Sequence, residues 1–141
     1  VNYGALYQKR YPVLKTAVKN FLQNPDAEYE AFCTENAFWL DDYALFMALK
    51  NAFGGAAWYQ WADEYKNRQP QAMENAKEEH KAEIAFWKAL QYLFFKQWKK
   101  LLCYVNGKGI KIIGDQSRLT DISGLFAFQF FHEDPIQVMA A

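Results

Sequence analysis

The sequence predicts a mainly helical chain with one or two short strands near its far end. Three observations carry this. Apolar residues recur at helical spacing through most of the stretch from Tyr11 to Asn106. The run from Pro70 to Asn106 contains no glycine and no further proline, so nothing in it signals a stop. Gly107 and Gly109 then break the helical pattern, and Ile110, Ile112 and Ile113 follow as a β-branched strand signal.

Taken in order, "YPVLKTAVKNFLQ" (Tyr11 to Gln23) places Val13, Leu14, Ala17, Val18, Phe21 and Leu22 on an amphipathic helix, with Pro12 in its first turn. "NPD" closes that helix and opens a short one over Pro25 to Glu35. Asn24 serves as cap, Pro25 as first helical residue and Asp26 as an acid at the positive helix end. Asn36 caps a buried helix from Phe38 to Phe53, stopped by Gly54 and Gly55. "AAWYQWADEYKNRQP" reads as a turn-rich connection with one short helix. Pro70 then opens a single helix to Asn106, acidic early (Glu74, Glu78, Glu79, Glu83) and basic late (Lys96, Lys99, Lys100), as the helix dipole favours. Phe86, Leu90, Leu93, Phe94, Leu101 and Val105 form its broad apolar face, wide enough for two neighbours.

Composition narrows the function. The 141 residues carry 16 basic and 16 acidic side chains, a net charge of zero. This leaves no footprint for nucleic acid and no basic face for anionic lipid. The most apolar stretch, Ile84 to Phe95, is interrupted by Lys88 and Gln91 and is too short to span a bilayer. Cys33 and Cys103 stand far apart without a CxxC spacing, so the plain reading is a reduced, cytoplasmic protein without a zinc site. Aromatic residues make up 18% of the chain, five of them Trp, which is more than a small free-standing domain easily covers. The chain therefore reads as a piece of a larger protein.

Candidate residues divide into sharp and plain readings. Asp41 and Asp42 are adjacent on a helix, about 100° apart, so they do not converge as a catalytic pair. Trp58, Tyr59 and Trp61 suit a sugar-stacking platform, with Trp58 and Trp61 the candidates, although aromatic clusters more commonly form core. His80 lies among charges, and His132, beside Glu133 and Asp134, lacks the spaced partners of a metal site. Asp115 ends the strand signal of "GKGIKIIGD" (Gly107 to Asp115), which is where barrels and doubly wound sheets place their chemistry. Turns favour Asp as well, so spacing alone leaves both roles open.

Three stretches together are more specific than any one residue. "FWLDDYALFMALKNAFGGAAWYQW" (Phe38 to Trp61), "FWKALQYLFFKQWKKL" (Phe86 to Leu101) and "GKGIKIIGD" closely resemble the amylomaltases, the 4-α-glucanotransferases of glycoside hydrolase family 77. "VNYGALYQKRYPVLKTAVKNF" is similar to the segment preceding them. The resemblance runs from Val1 to Asp115. It implies a piece of a (β/α)8 TIM barrel with helical insertions: residues 1–106 a helical subdomain, 107–115 a barrel strand, the rest of the barrel missing. It also implies a cytoplasmic enzyme that needs no cofactor and acts on maltodextrins or other α-1,4-glucans by a retaining mechanism. Within the family's motifs Asp115 matches an aspartate that helps order the site without being nucleophile or acid/base. The nucleophile's Arg-x-Asp-His motif and the acid/base glutamate's Glu-Asp-Leu-Gly-like motif do not occur in this chain, so it holds no catalytic residue. After Asp115 the resemblance breaks. Residues 116–141 are a divergent tail, expected to be frame-shifted or disordered. The rival reading is a non-catalytic helical module for interaction or glucan binding.

Overall fold

A computed structural model describes residues 2–112. One compact unit runs to Lys96 and a second begins at Gln97. Six α-helices and one 3₁₀ turn make up the described part. They are α1 (Tyr3–Leu22), α2 (Ala27–Glu35), α3 (Ala37–Ala52), the turn Trp58–Gln60, α4 (Asp63–Lys66), α5 (Pro70–Glu79) and α6 (Lys81–Asn106).

Several helix ends differ from the sequence expectation, each for a local reason. α1 starts well before Pro12, because Asn2 caps it by accepting the amide of Ala5 at 3.0 Å. Pro12 sits inside the helix on an exposed position, where the carbonyl it leaves unpaired can be hydrated. The cap of α2 is Asp26 rather than Asn24, its Oδ1 accepting the Tyr29 amide at 2.9 Å. Asn36 is buried before α3 but makes no side-chain cap bond. Its Nδ2 donates to the Phe32 carbonyl at 2.9 Å, and its Oδ1 accepts from Trp39 Nε1 at 3.0 Å. The single helix expected from Pro70 to Asn106 is broken at His80, where φ is −104° and ψ 19°. Hydrogen bonds continue on both sides: the His80 amide donates to Ala76, and its carbonyl accepts from Ile84. Neither Gly nor Pro marks this bend in the sequence.

The core of the first unit is organised around α3. Ala44 joins Val18, Phe86, Trp87 and Ala89 in one cluster. Leu45 and Leu49 join Trp61, Met73 and Ala76 in a second. Leu40 and Tyr43 join Phe32 and Tyr92 in a third. A helix apolar nearly all round is buried on several sides, and α3 is such a helix. Trp87 is 1% exposed, and its Nε1 finds no hydrogen-bond partner among the described residues. Among the described residues it is packing that holds the indole in place.

Of the face expected along α6 only Phe86 is buried, with Leu90, Leu93 and Val105 half-buried; the other buried positions of the helix, Trp87, Ala89, Gln91 and Tyr92, lie off that face in its first half. Farther on, Phe94 is exposed, as is Leu101 at 46%. The helix ends as expected at the glycine turn: Gly109 has φ of 73°, and Ile110 donates to the Val105 carbonyl at 3.0 Å. The short strand is not found. Ile110 to Ile112 form no strand, and none occurs among the described residues. A strand exists only by pairing, and these described residues offer it no neighbour. Ile113 and the tail assigned to residues 116–141 lie outside the described residues.

Candidate functional site

Asp115 lies outside the described residues, so the site is built from the aromatic turn and the groups around it. α3 ends in two glycines with left-handed backbones, φ 63° at Gly54 and 84° at Gly55. A side chain would strain both positions. Gly55 donates to the Lys50 carbonyl at 2.8 Å, which closes the helix and sends the chain into the 3₁₀ turn.

Trp58 and Trp61 are three residues apart and would share one face of a continued 3₁₀ helix. The backbone instead turns extended at Trp61, φ −71° and ψ 165°. The two rings therefore part. Trp61 is 6% exposed. Phe53 stacks on it with centroids 5.3 Å apart and planes at 16°, Phe46 lies at 5.3 Å, and Nε1 donates to the Ala56 carbonyl at 3.0 Å. Its indole belongs to the core and is not presented as half of a stacking platform. Trp58 and Tyr59 remain exposed, at 47% and 55%, with rings edge to face at 6.2 Å and 80°. The sequence signal that could have separated Trp58 from Trp61 is Phe53 and Phe46, upstream aromatics that give the second indole a place to stack.

Asp41 and Asp42 diverge as helix geometry requires. Asp41 pairs with Lys88, and Asp42 with Arg68 at 2.8 Å. Glu74 pairs with Lys77 at 2.6 Å. Among the described residues no group of three His, Cys, Asp or Glu is placed to hold a metal ion, and no helix is long and apolar enough to cross a membrane.

One polar cluster was not anticipated. Lys96 Nζ on α6 donates to Asp26 Oδ2 at 2.8 Å, to Glu28 Oε2 at 2.9 Å and to the Tyr92 hydroxyl at 2.9 Å. The Tyr92 hydroxyl donates to Asp26 Oδ1 at 2.7 Å. Asp26 thus caps α2 and fastens it to α6 with one carboxylate. The hydrogen bond from Lys96 holds both Asp26 and Glu28 below the usual carboxylate range. The same contacts, Asp26 foremost, raise Lys96 well above an ordinary lysine. Sequence separation hid the cluster, since Asp26 and Lys96 meet only after folding.

Comparison with known proteins places this chain within a family of carbohydrate-active enzymes. A model of glycoside hydrolase family 77, described as 4-alpha-glucanotransferase, matches residues 1–123. The chain is 44% identical over 115 residues to a 4-alpha-glucanotransferase of Clostridium butyricum, covering 82% of this chain and 24% of that protein. To the 4-alpha-glucanotransferase of Thermus thermophilus it is 42% identical over 119 residues, with the same coverage. Among solved structures, the amylomaltase of Streptococcus agalactiae in complex with acarbose superposes with a TM-score of 0.76 at 41% identity, covering 82% of this chain and 24% of that one. The chain belongs to the 4-alpha-glucanotransferase family, glycoside hydrolase family 77. It spans about a quarter of the length of these relatives.

Proposed function

We propose that this chain is a segment of a 4-α-glucanotransferase that moves α-1,4-glucan segments between maltodextrins in the cytoplasm. The match of the family model to residues 1–123 carries the reading. The reaction is a retaining double displacement. A carboxylate attacks the anomeric carbon while an acid protonates the departing glycosidic oxygen. The same acid, now a base, deprotonates the acceptor's hydroxyl, which attacks the glycosyl-enzyme and releases the carboxylate. Both catalytic groups belong to motifs absent from these 141 residues, so the chain contributes the helical subdomain and Asp115, as part of a TIM barrel whose strands lie elsewhere. Asp115 orients substrate or a neighbouring side chain by accepting hydrogen bonds, and it takes no part in bond breaking.

The test is a chimaera in which residues 1–115 replace the matching segment of the Clostridium butyricum relative. The expected outcome is disproportionation of maltotriose by the chimaera and none by the 141-residue chain alone. Activity in the isolated chain above a no-protein control would refute the assignment of catalysis to residues elsewhere; a folded but inert chimaera would refute the family activity. Within the chimaera, Asp115→Asn should lower kcat by on the order of a hundredfold, because lost positioning spoils the near-attack geometry. Asp41→Asn should leave kcat nearly unchanged.

A further inference from the structure

We propose that Trp58 and Tyr59 form a stacking site for an α-1,4-glucan chain, a reading that rests on the glucanotransferase assignment. The pair is exposed, yet its backbone is fixed. Gln60 donates to Ala57 at 2.8 Å, Trp61 donates to Trp58 at 3.2 Å, and the turn is anchored by the buried Trp61 indole. Exposed aromatic surface on a held backbone gains by covering apolar area and loses little entropy in doing so. A pyranose ring offers such a cover, because one face of it is lined by C–H groups.

The geometry selects the kind of glucan. With planes at 80°, the two rings cannot lie against one flat surface. A β-1,4-glucan is a flat ribbon and can meet only one of them. An α-1,4-glucan coils, so successive sugar faces turn relative to one another and one sugar can meet each ring. The Tyr59 hydroxyl and the exposed Gln60 side chain supply polar partners for sugar hydroxyls without introducing charge.

The experiment is a titration of the isotopically labelled 141-residue chain with maltoheptaose, reading the indole N–H signals of its five Trp. Trp58 is assigned from the Trp58→Phe variant. The expected result is a saturable shift of the Trp58 signal at millimolar maltoheptaose, little movement of Trp61, and no response to cellohexaose. Trp58→Ala should weaken binding about tenfold, with a smaller loss for Tyr59→Ala. An unmoved Trp58 signal, an equal response to cellohexaose, or undiminished binding by a folded Trp58→Ala variant would each overturn the site. An active chimaera with a silent Trp58 removes this proposal alone. A responsive Trp58 with a folded, inert chimaera removes the transferase reading and leaves a glucan-binding surface.

Discussion

The two halves of α6 have similar sequences and opposite fates. From Ile84 to Tyr92 the helix buries Phe86, Trp87, Ala89, Gln91 and Tyr92. From Gln97 to Asn106 it carries Trp98, Leu101, Leu102, Tyr104 and Val105, and none of them is buried. Both stretches are apolar at helical spacing, and both are continuous helix. The difference teaches that periodicity records which face a helix can bury, whereas burial needs something to pack against. In the first half that something is α3 and α1, through Ala44 and Val18.

Substitutions in the first half should therefore have the largest effects. Trp87→Ala removes a fully buried indole and should cost about 3–5 kcal/mol. In a domain of this size that lowers the thermal midpoint by roughly 10–20 °C, which calorimetry reads directly. A loss below about 1 kcal/mol would mean that Trp87 is not the centre of the core.

Trp61 and Trp58 repeat the comparison over three residues. Trp61→Ala should cost about 3 kcal/mol, since it vacates the stack on Phe53 and strands the Ala56 carbonyl. Trp58→Ala should change stability by no more than about 0.5 kcal/mol. Urea unfolding of both variants checks the contrast, and equal losses would erase it.

Lys96, the last residue of the first unit, sharpens the comparison through pH. Asp26 and Glu28 have carboxyls held below their ordinary range by Lys96. A depressed carboxylate pKa stabilises the fold above the unfolded value, and this is lost as pH falls through the folded one. The raised Lys96 works in the opposite sense, its contribution vanishing only as pH rises through a value well above an ordinary lysine. Lys96→Met should therefore lower the thermal midpoint at neutral pH, and the gap to wild type should close in acid. A gap of constant size down to pH 2 would show that the loss is packing rather than charge.

The smallest effect is expected in the second half of α6. Leu101→Ala should shift stability by no more than about 0.5 kcal/mol in the 141-residue chain. Inside the chimaera the same change should cost more, because the remaining three-quarters of such a protein can cover the face. Identical effects in both settings would mean that Leu101 stays exposed.

By itself the sequence determined the helical class, the glycine stops after α3 and α6, the divergence of Asp41 and Asp42, and the family, because these rest on local chemistry and on motifs that stay in one stretch. Its misreadings were also local. Pro12 and Asn24 looked like helix starts because caps were judged from residue type, while Asn2 and Asp26 hold the amides. Only the tertiary structure decided which indole of Trp58 and Trp61 is core, because that turns on one extended residue and on Phe46 and Phe53 reaching across. It decided too that Asp26, Glu28, Tyr92 and Lys96 meet, since contacts between residues so far apart in sequence leave no periodic trace. And among the described residues it gave Ile110 to Ile112 no strand partner, because a strand is made by its neighbours and the chain's own pattern can only offer one edge.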